Sequence, residues 1–182
     1  FFAKAQASAR DLLSWDGELY FEYHRGTYTS QALCKKMNRR MELLARETEL
    51  AWSHLPLRRY PARLLDKVWK TILLNQFHDI IPGSSIGRAY AEAHLQYEQI
   101  EQTLNALLVK ADAAWIRSVD SRAFQNPWLV RNSLSWDRQT VVYIPKSRSR
   151  RWRDSEGVQL LSQPTKGGML VQAVVPAMGH IL

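Results

Sequence analysis

Apolar residues recur at steps of three and four over most of residues 30–115, then give way to short alternating runs. The first periodic stretch places Leu33, Met37, Met41, Leu44, Thr48, Ala51 and Leu55 on one face. Lys35, Lys36, Arg39, Arg40, Arg46 and Glu47 fall on the other. Side chains three and four apart share a face of an α-helix, so the pattern predicts an amphipathic helix with a solvated charged face. Thr29 or Ser30 would cap its start by accepting from a free first-turn amide, and Leu55-Pro56 would end it. A second helix is predicted from Pro61, because a proline in the first turn lacks only an amide proton that has no partner there. Its apolar face is Leu65, Val68, Trp69, Ile72, Leu73 and Phe77, and Pro82-Gly83 would stop it. Ser84 or Ser85 would cap the third helix. There Ile86, Tyr90, Ala93, Tyr97, Ile100, Leu104, Leu107, Ala111 and Ala114 alternate steps of four and three. Such a seam packs helices nearly parallel or antiparallel, and three helices with short connections predict an up-down-up bundle over residues 30–117.

Residues 1–15 read as a short helix or helix end, broken at Asp16-Gly17. Residues 18–29 are aromatic and polar together, with Tyr20, Phe21, Tyr23, His24 and Tyr28. Polar-tipped rings either line a carbohydrate or base site or pack beneath a helix, and local pattern favours the second. Residues 117–127 are polar and read as a linker. Strand-like runs follow at 128–130, 140–144 and 169–175, punctuated by Asn132-Ser133-Leu134-Ser135 and Pro145 and closed by Pro176. A few strands cannot close a sandwich. The expected fold class is therefore α+β: mainly an α three-helix bundle, then the first strands of a β-sandwich domain whose remaining strands lie beyond Leu182.

Composition narrows the class. With 182 residues and 46% hydrophobic side chains the chain can build a core of one domain or two small ones. Cys34 is the single cysteine, so an internal disulfide is impossible and a reducing, cytoplasmic setting is the simpler expectation. No Asn-x-Ser/Thr acceptor occurs, and no apolar run approaches the ~18 residues of a membrane helix. The first residues carry neither an initiator Met nor a signal-peptide pattern, and both ends read as cuts in a longer protein. The formal charge of +8 admits nucleic acid or an acidic partner. Its densest cluster is Lys146, Arg148, Arg150, Arg151 and Arg153 around Trp152. This is either a phosphate-contacting loop or a solvated hairpin connection. The second is favoured, because no aromatic stacking platform accompanies it.

The best candidate for chemistry is Asn75-Gln76-Phe77-His78-Asp79-Ile80-Ile81-Pro82-Gly83. A His at a helix C-terminus suits the macrodipole, but a carboxylate there faces the negative end. If Ile80, Ile81 and Pro82 bury the turn, Asp79 needs a strong partner: a metal-bound substrate, an Arg or hydroxyl donors. A metal or polyol site is compatible with this. One His does not make a zinc site, which needs three or four ligands, and no HExxH, His-x-Asp or CxxC occurs.

The segment running from Asn75 through Pro82-Gly83-Ser84-Ser85-Ile86 resembles the corresponding segment of glycoside hydrolase family 38 α-mannosidases. It is closer to their bacterial and cytosolic branch than to the lysosomal and Golgi enzymes, where it reads HHDxxTGT. Residues 18–31, ELYFEYHRGTYTSQ, are similar to the same branch, as are Asn132-Ser133-Leu134-Ser135-Trp136 and Val175-Pro176-Ala177-Met178-Gly179. The resemblance covers essentially the whole chain. It implies that residues 1–29 end an N-terminal catalytic domain, residues 30–117 form the whole middle bundle and residues 118–182 start the C-terminal β domain. It further implies a zinc-dependent retaining exo-α-mannosidase acting on α-mannoside oligosaccharides. His78 matches a zinc ligand and Asp79 a carboxylate that bonds mannose hydroxyls. His24 falls where secretory relatives carry a Trp that flanks the sugar. The nucleophile, the acid/base and the other zinc ligands have no counterpart in these residues. The chain alone is thus expected to be inactive, its partners being the remaining domains of the same polypeptide, with no membrane partner and homo-oligomerisation left open. Two other readings compete: a non-enzymatic helical module that binds nucleic acid or an acidic partner through its basic surface, and a bundle that only positions neighbouring domains.

Overall fold

The computed structural model describes residues 1–9, 13–17, 24–149 and 151–182. Tyr20, Phe21, Tyr23 and Arg150 lie outside the described residues. A short exposed helix, α1 (Phe2–Ser8), precedes the bundle of α2 (Ala32–Ser53), α3 (Ala62–Asn75) and α4 (Gly87–Ile116). Asn38 meets Tyr97 and Trp52 meets the Leu107 carbonyl, so α2 and α4 run in the same direction. Trp69 bonds Glu49 and Gln76 bonds Glu42, so α3 runs against α2. The up-down-up expectation holds.

The α4 seam lies where its period predicts. Tyr90, Ala93, Tyr97, Ile100, Leu104, Leu107 and Ala111 are buried, while Ile86 before the helix is exposed. Burying a large apolar side chain contributes about 1.5–3 kcal/mol, so this row dominates the bundle. The α2 seam is rotated from the expected one. Its buried residues are Cys34, Asn38, Met41, Ala45, Thr48 and Ala51. Leu33 is half exposed, and Met37 and Leu44 sit on the shoulder of the core. Cys34 and Ala45 are fully buried although small. Asn38 tolerates burial because its amide donates to Glu42 Oε1 (2.8 Å) and its oxygen accepts from Tyr97 Oη (3.1 Å). On α3, Leu65, Val68 and Ile72 are buried as expected and Trp69 packs against the core, but Leu73 and Phe77 are exposed and Asn75 is buried in their place. Asn75 is satisfied by Gln96 Oε1 and the Thr71 carbonyl.

None of the predicted hydroxyl caps forms. α2 starts after Gln31, a left-handed residue at φ 51°, and α4 after Ile86 with no side-chain cap. Thr27 and Thr29 instead donate back to the carbonyls of His24 and Gly26. α3 stops at Asn75, earlier than Pro82-Gly83: the Gln76 amide bonds back to the Ile72 and Leu73 carbonyls and the chain turns.

Beyond α4 the strands are β1 (Val130–Arg131), β2 (Arg138–Pro145), β3 (Trp152–Arg153), β4 (Gln159–Leu160), β5 (Ser162–Thr165), β6 (Gly168–Val175) and β7 (His180–Ile181). β6 lies between β2 and β5, antiparallel to both, with Arg138 opposite Val175 and Pro145 opposite Gly168. β1 pairs with β7 and β3 with β4. Ile144, Met169 and Val171 form a small core under Val142, Trp152 and Leu160. This part docks on the far end of the bundle. Arg131 pairs with Asp112 (2.9 Å) over Trp115, and Ser133 Oγ donates to Glu47 Oε1 (2.6 Å) while its carbonyl accepts from Arg46. The chain is thus an α+β unit with its site candidates at the opposite end of the bundle from the strands.

Candidate functional site

Two turns meet at the start of α2. The first, residues 24–30, carries His24 and closes with the Ser30 amide bonded to the Gly26 carbonyl (2.8 Å). The second, residues 77–83, carries His78 and Asp79. In it the Ile80 and Ile81 amides bond the Phe77 carbonyl and the Gly83 amide bonds the Ile80 carbonyl. Gly83 has φ +91°, a left-handed conformation that L side chains rarely adopt. A Cβ there would come within 2.6 Å of Ser30 Cβ and 2.7 Å of its carbonyl oxygen. The two turns therefore touch backbone to backbone.

Lys35, from the first turns of α2, reaches both. Its Nζ donates to the Ser30 carbonyl (2.5 Å) and the Ile81 carbonyl (2.7 Å). Tyr90, buried on α4, braces the second turn from below: its hydroxyl accepts from the Ser85 amide (2.8 Å) and faces the Asp79 carbonyl at 3.4 Å. Ile80 packs into the bundle core.

With the backbone held from behind, the side chains of His78 and Asp79 stand out from the bundle, 77% and 59% exposed. His78 Nε2 lies 3.5 Å from Asp79 Oδ2, and the His78 ring leans on Phe77 at 4.1 Å between centroids. The expectation that the turn buries Asp79 is corrected here. Because α3 stops at Asn75, Asp79 sits four residues past the helix end, so Ile80 turns inward while the carboxylate turns out. It meets neither the desolvation penalty nor the full field of the terminal carbonyls, which fades within a turn.

An imidazole nitrogen and a carboxylate side by side suit a zinc ion in donor type, but zinc takes three or four protein ligands. Among the described residues no group of three or more His, Cys, Asp or Glu side chains could hold a metal ion. The pair fits as part of a ligand set rather than as a site. His24 is exposed on the adjoining turn, so the structure brings the three candidate residues to one end of the bundle.

The residues that sequence reasoning missed are Lys35, Gly83 and Tyr90. Lys35 reads as one more cation on a charged face, Gly83 as a helix stop and Tyr90 as a seam position. The packing of Ser30 against Gly83 brings the two turns that they brace together. The described residues of the basic loop at 146–153 line a cleft with Trp128, Val142 and Ile181 that holds no imidazole. Trp152 packs on the β core and donates to the Ser149 carbonyl (2.9 Å), and Ser147 and Ser149 bond within the loop, so the ring is no stacking platform. No helix is long and apolar enough to cross a membrane among the described residues.

Comparisons agree with this architecture. The sequence model of the family described as "Alpha mannosidase middle domain" matches residues 22–114. The chain is 39% identical over 150 residues to alpha-mannosidase 2C1 of Homo sapiens, covering 80% of this chain and 14% of that protein. It is 38% identical over 109 residues to an alpha-mannosidase of Saccharomyces cerevisiae, covering 57% of this chain and 10% of that one. With alpha-mannosidase G of Dictyostelium discoideum the identity is 42% over 102 residues, 55% of this chain and 9% of the relative. The chain thus spans about a seventh or less of the length of these relatives. In fold it is similar to the crystal structure of an alpha-mannosidase from Enterococcus faecalis V583, with a TM-score of 0.64 at 15% identity, over 87% of this chain and 24% of that one.

Proposed function

Because the chain belongs to the α-mannosidase family, in which residues 22–114 match the middle domain, we propose that it is part of a zinc-dependent retaining exo-α-mannosidase of glycoside hydrolase family 38. The substrate is the terminal α-mannosyl residue of an oligosaccharide. The observation that carries the reading is the 77–83 turn: adjacent imidazole and carboxylate groups, both directed outward, on a backbone braced by Lys35, Tyr90 and Gly83.

In this reading His78 is the bundle's one zinc ligand and the remaining ligands come from other domains of the full-length protein. Bound there, zinc would supply a Lewis-acid grip on neighbouring sugar hydroxyls. Asp79 accepts hydrogen bonds from mannose hydroxyls and so fixes the ring's orientation. His24, on the adjoining turn, is a polar neighbour of the sugar rather than a stacking platform. A retaining reaction needs a nucleophilic carboxylate and an acid/base carboxyl about 5–5.5 Å apart. Both are assigned to the rest of the polypeptide. By itself the 182-residue chain then binds zinc weakly and leaves mannosides uncleaved. The lone, buried Cys34 is in keeping with a cytoplasmic setting.

The reading is tested with Asp79→Asn in the full-length enzyme. Hydrogen bonds to a charged acceptor are worth ~1.5–3 kcal/mol, so kcat/KM on an α-mannoside should fall about ten- to hundredfold with the fold intact. Unchanged kinetics would remove Asp79 from the sugar site.

A further inference from the structure

Among the described residues, Lys35 is the side chain that hydrogen-bonds both turns of the candidate site, in each case through a backbone carbonyl. The ammonium holds the Ser30 carbonyl, where the His24-bearing turn ends, and the Ile81 carbonyl, two residues past Asp79. These carbonyls belong to segments 51 positions apart in the chain. Ammonium-to-carbonyl bonds are charge-assisted and roughly twice as strong as neutral ones. Lys35 is half-buried, which limits competition from water. Tyr90 braces the same turn from the opposite helix, but through the Ser85 amide and, at 3.4 Å, the Asp79 carbonyl. It leaves Ile81 and the first turn untied.

We propose that Lys35 is the positioning residue of this site: by tying the Ile81 carbonyl to the Ser30 carbonyl it fixes the angle at which His78 and Asp79 leave the bundle, and thereby sets the strength with which His78 binds metal. The inference rests on the site reading given above. The ammonium is taken up by the two carbonyls. It acts through the backbone two and three residues from the side chains it orients. Outer-sphere partners that orient a ligand typically alter metal affinity by about ten- to hundredfold.

The experiment compares Lys35→Met, Lys35→Arg, Lys36→Met and His78→Ala in the full-length, zinc-loaded enzyme. Zinc affinity is read by chelator competition, and backbone exchange at residues 78–84 by hydrogen–deuterium exchange. Lys36→Met removes the same charge from the exposed neighbouring position. Lys35→Met is expected to weaken zinc binding about tenfold or more and to speed exchange across residues 78–84. Lys36→Met should do neither, and Lys35→Arg, which keeps a cationic donor, should recover most of the affinity. If Lys35→Met folds poorly, Lys35→Arg and the exchange rates carry the comparison. Unchanged zinc affinity in Lys35→Met, with loss in His78→Ala, overturns the positioning role and leaves the site reading standing. Equal losses in Lys35→Met and Lys36→Met also overturn it, since charge alone would then account for the effect. Unchanged zinc binding in His78→Ala overturns the site reading itself, and the positioning role with it.

Discussion

Gly83 and Ser30 approach so closely that a Cβ on the glycine would lie 2.6 Å from the serine Cβ. This contact joins the end of the α3–α4 turn to the start of α2, and no other residue type fits it. Gly83→Ala adds both the overlap and the cost of an L residue at φ +91°. The expected loss is about 2–6 kcal/mol of unfolding free energy, with the overlap and the strain each costing ~1–3. Urea unfolding of the full-length protein checks it, with an unchanged midpoint as the contrary result.

The rotated α2 seam separates neighbouring positions. Met41 is fully buried and Leu33 half exposed, although the hydrophobic pattern gives them equal weight. Met41→Ala should cost ~2–5 kcal/mol by cavity formation. Leu33→Ala should stay within about 0.5 kcal/mol, as surface changes do. Paired thermal melts decide between the observed seam and the one read from periodicity.

Tyr97 carries a pH signature. Burial, then the neighbouring Cys34 and Glu42, push its phenol well above the ordinary value of 10.0. In the unfolded chain the phenol loses its proton near that ordinary value, whereas in the folded chain it keeps it. Above pH 10 the native state therefore binds more protons, and stability falls as pH rises. Below that point the contribution is fully present. Tyr97→Phe removes this alkaline slope and also deletes the bond to Asn38 Oδ1, costing about 1–3 kcal/mol at neutral pH. Unfolding titrations from pH 7 to 11 on both proteins should converge at the alkaline end. Parallel curves would assign the slope to another group.

The bundle–strand junction rests on a charge pair. Arg131 is largely buried between Asp112 and the Trp115 ring, and Trp115 also contacts His54 and His180. Arg131→Met keeps the stem and loses the charge. It should lower stability by about 1 kcal/mol, because an ion pair with one partner partly solvated contributes ~0–1. Limited proteolysis in the 117–127 linker should quicken. Equal cleavage rates would show that the pair does not hold the two parts together.

How much of this was legible in the sequence varied with what filled each position. The α4 seam was readable residue by residue because its core positions are large and apolar, Tyr97 and Leu104 among them. The α2 seam was not, because Cys34, Asn38, Ala45 and Thr48 carry little hydrophobic signal. Asn38 belongs inside only because Tyr97 and Glu42, remote or one turn away, satisfy it. Long alternating strands β2 and β6 were visible, whereas the two-residue pairs β1–β7 and β3–β4 are set by tertiary pairing. Of the hydroxyls expected to cap α2, Thr29 bonds the Gly26 carbonyl behind it instead of an amide ahead. For the site, His78 and Asp79 stood out by type and by family resemblance. Their exposure did not, since it depends on α3 ending at Asn75. Lys35 was invisible as a brace because its two acceptors are backbone atoms.

The most direct test of the central claim is the zinc content of the purified full-length protein, measured beside its His78→Ala variant. The account predicts about one tightly held zinc per chain in the parent, and a variant that remains folded but loses zinc on mild chelation together with mannoside hydrolysis. A His78→Ala protein that keeps its zinc and its activity would contradict it.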